Sequence, residues 1–346
     1  MLDFAQIPLF ETAEVDETAA DAGGGTAKVP PKLGRLNATA LLAKKLPMIE
    51  HIVPGYIQPG LSIIAGKPKT GKSWLSLGLA VAVATGGLAL GSVPVKQGSV
   101  LYLALEDNER RLQQRLRQML QDQEAALDDL YLETECPRLD AGGVEAIREW
   151  VDATEDARMV IVDVFTKIRP ERSSTDTSYE ADYRALAPLK QLADETSIAV
   201  VVVHHTRKMA AEDPFETVSG TNGITGAADT ILILDRGGQG MTLYARGRDI
   251  EEIETALLFD KLSGTWLAQG PAAEVRRSDE RQAILAALAE EAAPMSPAEL
   301  SAKLDVPSAN VRQLLQRMVS SGELSKRGRG LYVIGENGNE EVVIEK

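Results

Sequence analysis

Short apolar runs alternate with helically spaced apolar positions through the middle of this chain. Leu61-Ser62-Ile63-Ile64-Ala65 reads as a buried strand, followed by a glycine turn and an apolar helix over residues 73–85. Residues 99–105 predict the next strand, which leads into a charged helical stretch at 108–122. Residues 159–163 and 198–203 predict further strands, because they are rich in β-branched residues and too short for helices. Between them, Leu186, Leu189 and Leu192 give residues 179–194 helical spacing. Strands at 230–234, 241–246 and 256–259 then follow one another without helices. Strand–helix alternation implies right-handed crossovers and a mostly parallel sheet covered on both faces, and the trailing strands imply antiparallel additions at one edge.

A second pattern begins after residues 270–277, which read as a linker. Residues 279–290 predict a helix with Ile284, Leu285 and Leu288 on one side. Ser296 caps a second helix, and Glu299 three residues on completes a capping box. Val306-Pro307 ends it, and residues 308–321 form a third helix with Val311, Leu314, Leu315 and Met318 on one face and Gly322 as its stop. Residues 323–334 read as strand, turn at Gly328-Arg329-Gly330, strand. Three helices and a basic hairpin describe a winged helix-turn-helix.

Composition narrows the classes. The 346 residues exceed what one hydrophobic core usually organises, so two folded units with tails are expected. The single cysteine, Cys136, permits no intrachain disulfide and no cysteine metal cluster, as suits a cytoplasmic protein. No apolar run reaches the roughly 18 residues of a membrane span. Aromatic residues make up 4%, which argues against a base-stacking platform. The net charge of −14 does not suggest a nucleic-acid binder, but part of it sits in residues 1–27, which hold no Lys or Arg. Residues 11–32 are acidic, then Gly- and Pro-containing, and read as disordered. Just before them, Gln6-Ile7-Pro8-Leu9-Phe10 resembles the Gln-x-x-Leu-Phe peptides that dock bacterial sliding clamps, against the plainer reading of an apolar tail. The expected division is an acidic tail at 1–35, an α/β core at 36–270, the winged helix at 271–334 and an acidic tail at 335–346.

The strongest chemical signal is Gly66-Lys67-Pro68-Lys69-Thr70-Gly71-Lys72-Ser73, which fits G-x-x-x-x-G-K-[ST] between a buried strand and an apolar helix. Glycines let consecutive backbone N–H groups turn towards phosphates, and the helix N-terminus adds its positive end. The motif therefore predicts ATP held by residues Gly66 through Ser73 with Trp74 immediately after. Lys72 would reach the β- and γ-phosphates, and the Ser73 hydroxyl would ligate Mg2+. Asp163 closes an apolar strand; an Asp there is a turn former or, beside a phosphate loop, the second contact to Mg2+.

With these residues in hand, the chain resembles the RecA/DnaB superfamily of P-loop ATPases over roughly residues 52–267, and in particular the RepA-type hexameric helicases of plasmids, phages and mobile elements. The resemblance implies a RecA-like P-loop fold and places Glu106, after the strand at 100–105, as the base that polarises the attacking water. Asp107 is the alternative, and both residues could instead be solvated charge at the next helix. It also implies that His205, in His204-His205-Thr206, senses the γ-phosphate; a metal pair is disfavoured because neighbouring strand residues point to opposite faces. Residues 219–229 look like the Gly-rich loop and short helix near a DNA-facing channel, with a polar loop at 207–217 before them. Arg246 and Arg248 correspond to paired basic fingers that reach a neighbouring subunit's γ-phosphate, against an ordinary surface Arg–Asp turn. The implied protein is a homo-oligomer, a hexamer, that moves on single-stranded DNA.

On the third helix of the C-terminal module, Asn310, Arg312, Gln313, Gln316 and Arg317 offer groups for bases or phosphates, and Lys326-Arg327-Gly328-Arg329 form the wing. Residues 276–332 hold nine Lys and Arg against seven Asp and Glu, a modest excess for a reader of duplex DNA. Protein docking is the other use of such a module. Two functions follow: a DNA-associated motor of the RepA-type helicase kind, or an ATP-gated regulator or loader that uses its winged helix on duplex DNA; a non-catalytic scaffold that uses ATP structurally is disfavoured by having both Glu106 and Asp163 in place.

Overall fold

Every residue of Gly60–Gly66 is buried, and this strand (β1) is the axis on which the rest of the architecture is laid. The computed structural model describes residues 36–46, 48–121, 126–171, 177–206, 213–218, 222–237, 240–291, 293–328 and 330–335. The expectations for the tails, for Gln6–Phe10, for Ser219–Thr221, for most of the polar loop and for Arg329 lie outside these residues. The chain divides into two units, residues 1–48 and 49–346. In the first, a five-residue helix Ala38–Leu42 (α1) is capped by Asn37, whose Oδ1 accepts from the Ala40 N–H at 2.7 Å.

The second unit holds a nine-stranded sheet. Its strands in chain order include β1, then α2 at Lys72–Thr85, the two-residue pair β2 (Leu88–Ala89) and β3 (Val93–Pro94) outside the sheet, and β4 at Ser99–Ala104. Next come α3 (Glu109–Leu120), β5 (Leu130–Glu133), α4 (Val144–Ala153), β6 (Ala157–Asp163), α5 (Ser178–Thr196) and β7 (Ala199–His205). The helix α6 (Asn222–Ala227) precedes β8 (Thr230–Gly237), β9 (Gly240–Gly247), β10 (Ile253–Asp260) and β11 (Thr265–Pro271). Across the sheet the order is β11-β10-β9-β8-β1-β7-β6-β4-β5. From β8 to β5 all neighbours run parallel, and β9, β10 and β11 are added antiparallel at one edge, as the trailing apolar runs predict.

Parallel strands need cover on both faces, and the alternation of side chains along each strand sorts them into two cores. Ile64, Tyr102 and Ile161 join Leu75, Leu79 and Val83 of α2 on one face. Ile63, Val160 and Val202 join Ile147 of α4 and Leu186, Leu189 and Leu192 of α5 on the other. A capping box that went unread in the sequence starts α5: the Thr177 hydroxyl accepts from the Glu180 N–H at 3.3 Å, and Glu180 accepts from the Thr177 N–H at 3.0 Å.

Residues 270–277 are not the linker their composition suggests. Strand β11 ends at Pro271 and the helix α7 (Ala272–Glu291) begins at the next residue. Ala-Ala-Glu-Val-Arg-Arg favours helix, and Ala272 is 1% exposed, so the segment gains both propensity and burial by continuing as structure. Beyond it lie α8 (Pro297–Leu304), with the predicted Ser296–Glu299 capping box, and α9 (Ser308–Ser320). The wing strands β12 (Leu324–Lys326) and β13 (Tyr332–Ile334) pair antiparallel. Ile284, Leu285, Leu288, Leu300, Val311, Leu315 and Met318 make the core of this winged helix.

Candidate active site

The loop after β1 is shaped by two close approaches. A Cβ on Gly66 would lie 2.5 Å from the Leu234 carbonyl, and Gly71 has φ +95° with its Cα facing the Trp266 ring. The loop also closes on itself, since Thr70 Oγ1 donates to the Lys67 carbonyl at 2.8 Å. Helix α2 starts at Lys72 with no side chain capping it and no acidic residue in its first turn, so its first N–H groups are free for an anion. Lys67, Pro68 and Lys69 are exposed, and Lys67 pairs with Asp235 at 3.3 Å. Lys72 is buried, and its ammonium donates to the carbonyls of Gly66 and Lys67 at 2.8 and 2.9 Å. Burial lowers its pKa to about 8, against the opposing pull of Asp163 and Glu106.

Asp163 ends β6, two strands from β1, and is 4% exposed. Its Oδ2 accepts from the Tyr102 hydroxyl at 2.8 Å. Burial raises the pKa of this carboxylate, while neighbouring Ser73 and Tyr102 pull it down. The other oxygen, Oδ1, is buried without a hydrogen-bond partner. A bare carboxylate oxygen beside a serine hydroxyl fits a divalent cation. Among the described residues no group of three or more His, Cys, Asp or Glu could hold a metal, so an ion here would take its remaining ligands from phosphate and water, as Mg2+ does. Tyr102 is fully enclosed and also contacts Ser76 Oγ at 3.0 Å, so it is the post that aims Asp163 at Ser73.

Glu106 and Asp107 follow β4 and have separate fates. Asp107 is nearly buried and ion-paired with Arg111 at 2.7 Å and with Arg115. Glu106 is exposed, and its charge acts on both Lys72 and His205. His205 is the register partner of Gly66, and the next N–H, from Thr206, donates to the Gly66 carbonyl at 3.1 Å. Burial first, then Lys72, lowers the His205 pKa, and its Nδ1 is buried without a partner. His204 turns to the other face against Phe165, with ring centroids 6.4 Å apart, and burial takes its pKa down to about 4. Lys72, Ser73, Glu106, Asp163 and His205 are therefore brought together at one end of the sheet.

Arg246 and Arg248 are not. Arg246 is register partner of Ile231 near the start of β8, which places both arginines at the opposite end of the parallel strands from the phosphate loop. Arg246 makes a two-pronged pair with Glu252 at 2.7 and 2.9 Å, pairs with Asp213 at 2.9 Å, and lies over the Phe215 ring. The Arg248 side chain is 61% exposed and lies 3.4 Å from the Asp229 carboxylate, and its N–H donates to the Asp229 carbonyl at 2.9 Å.

A protein-family model described as an AAA domain matches residues 29–211, more than half of the chain. The chain belongs to the AAA domain family. The phosphate loop follows the strand between β7 and β8, and beyond this AAA domain lies a winged helix whose residues 283–328 match the IclR helix-turn-helix domain. Similar solved structures include one titled as an ATPase domain, 14% identical over 60% of this chain and 84% of that one, with a TM-score of 0.47. Another, titled as a DnaB-like replicative helicase and its interactions with primase, is 16% identical over 60% of this chain and 57% of that one, with a TM-score of 0.49. On α9 of the winged helix, Asn310, Arg312, Gln313, Gln316 and Arg317 are all exposed, as are Lys326 and Arg327 of the wing. No helix among the described residues is long and apolar enough to cross a membrane.

Proposed function

We propose that this AAA domain hydrolyses Mg-ATP and couples hydrolysis to movement on single-stranded DNA as a homo-oligomer, a hexamer of the RepA-type helicase kind. The observation that carries the chemistry is the convergence, at one end of the sheet, of the uncapped phosphate loop, the bare Asp163 oxygen beside Ser73, and Glu106 with His205 facing Lys72. Ser73 and Asp163 would hold Mg2+, which would supply positive charge against the phosphates. Lys72 and the backbone N–H groups from Gly66 to Trp74, Pro68 excepted, hold the phosphates. Glu106 takes the proton of the attacking water, and exposure leaves it room to do so while Asp107 is tied up by Arg111 and Arg115. His205, neutral at physiological pH and backed by β1, donates a hydrogen bond to the γ-phosphate. Arg248 supports the site of the neighbouring subunit, which accounts for its distance from the phosphate loop of its own chain.

The test is steady-state hydrolysis by the full chain without DNA, with single-stranded DNA and with duplex, using Lys72→Ala as the blank. Strong stimulation by single strands supports the motor. A slow rate that answers only to duplex supports the second reading, an ATP-gated regulator or loader, which the exposed polar face of α9 favours. Binding of residues 1–20 to a purified sliding clamp tests the proposal for Gln6–Phe10, and absence of binding ends it.

A further inference from the structure

Trp266 sits 195 residues from the phosphate loop in sequence, yet its indole Nε1–H donates to the Gly71 carbonyl at 3.1 Å. The ring also closes off the space beside Gly71, where a Cβ would come within 2.8 Å of Cζ2. Trp266 is 5% exposed and packs on Phe259 with centroids 4.9 Å apart. Phe259 meets the edge of Trp74 at 6.0 Å, and the Arg115 guanidinium lies 5.1 Å over the Trp74 ring. Arg115 in turn holds Asp107, next to Glu106. One continuous packed series thus joins the phosphate loop, the first residue past the motif and the glutamate turn to strand β11.

Strand β11 shifts register at Gln269, between Ala268 and Gly270, yet stays paired with β10 up to Pro271, five residues after Trp266, and α7 starts at Ala272. The start of α7 is fixed to the core by burial of Ala272 and by the pair Arg276–Glu254 at 3.2 Å. About 30 Å of helix spans α7 from end to end, and Ile284, Leu285 and Leu288 in its second half are part of the winged-helix core against Val311, Leu315 and Met318 of α9. A flexible linker would absorb a displacement at the phosphate loop; a strand joined directly to a helix passes it on, because close-packed interiors shift between discrete arrangements instead of deforming smoothly.

We infer that Trp266 is a positioning residue that ties the phosphate loop to the winged helix, so that nucleotide at the loop and DNA at α9 influence each other's binding. The inference rests on the nucleotide-site reading above. The loop has a reason to change. Lys72 now satisfies the Gly66 and Lys67 carbonyls, and a phosphate competes for the same ammonium. Because Trp266 grips the Gly71 carbonyl one residue before Lys72, rearrangement there is felt at β11. Binding linkage is reciprocal, so DNA on the winged helix must change nucleotide affinity by the same factor that nucleotide changes DNA affinity.

Hydrogen–deuterium exchange on the full chain, with and without the slowly hydrolysed analogue Mg-ATPγS, tests this directly. Expected is slowing by about threefold or more of amides in residues 66–74, in β11 and in the first half of α7 together. Trp266→Phe keeps most of the packing and removes the N–H donor. It should retain slowing at 66–74 and lose it in α7. Unchanged slowing of α7 in Trp266→Phe would overturn the role of Trp266. Slowing at 66–74 with none in wild-type α7 would overturn the coupling and leave the nucleotide site standing. No change at 66–74 would remove the nucleotide site itself, and the inference with it. Should Trp266→Phe melt well below the wild type, the wild-type chain decides alone: the affinities for a mixed-sequence duplex with and without Mg-ATPγS must differ, and equal affinities overturn the inference.

Discussion

At Asp163 a carboxylate is almost sealed from water, which raises its pKa, and the Tyr102 hydroxyl donates a hydrogen bond that favours the charged form. Removing that bond by Tyr102→Phe leaves the carboxylate less well aimed and less well stabilised. A hydrogen bond to a charged group is worth about 1.5–3 kcal/mol, so the Mg2+ concentration needed for half-maximal nucleotide binding should rise about tenfold or more. Titrating Mg2+ against binding of a fluorescent ATP analogue reads it, and an unchanged midpoint contradicts the role given to Tyr102. His204 shows the opposite sort of residue, half-buried and packed against Phe165. Its folded pKa of about 4 lies below the ordinary 6.5, so the unfolded chain binds a proton that the folded chain refuses. The stability present above pH 6.5 is therefore lost as pH falls towards 4, by an amount on the order of 3 kcal/mol. Melting curves at pH 7 and pH 5 should show a smaller difference for His204→Asn than for the wild type. Among site residues, those in the phosphate-loop motif and at strand ends were legible because motif and position coincide there. Tyr102 was not: a tyrosine in an apolar strand reads as core, and nothing local tells that its hydroxyl meets Asp163, 61 positions on.

At the scale of elements, helix α2 and the turn before it depend on Gly71. Its φ of +95° disfavours any other residue, and the Trp266 ring leaves no room for a Cβ. Gly71→Ala should abolish ATP binding while the sheet survives, as equilibrium binding and circular dichroism together would show; retained affinity contradicts the close approach. The capping box on α8 has a simpler consequence. Ser296→Ala should cost about 1 kcal/mol, seen as an earlier melting transition. Strand and helix types along the parallel sheet, its antiparallel edge and the three helices of the winged module were legible, because periodicity and caps are local. β5, α4 and β11 were not, since their apolar residues are few or interrupted, and they are held in place by partners far along the chain. Residues 270–277 misled for the same reason: glycine and proline at the junction suggest a break, but Gly270 and Pro271 only end β11 before α7 begins.

For the whole molecule, the position of Arg248 at the far end of the parallel strands makes a prediction about assembly. Arg248→Ala and Lys72→Ala proteins should each be inactive, and mixing them should restore part of the hydrolysis by pairing an intact loop with an intact arginine across an interface. No recovery on mixing would argue for Arg248 as an ordinary partner of Asp229. Arg246, held by Glu252 and Asp213, is less free for such a role. That the core carries a phosphate loop was readable from eight residues and their setting; how copies of the chain would meet was not, because a single chain carries no record of its neighbours. If Glu106 activates water at a site that Lys72, Ser73 and Asp163 build, Glu106→Gln separates binding from chemistry when Mg-ATP affinity and hydrolysis are measured side by side. Expected is wild-type affinity with hydrolysis reduced about 10²–10⁴-fold. Hydrolysis at the wild-type rate in a protein that still binds ATP would contradict that role for Glu106.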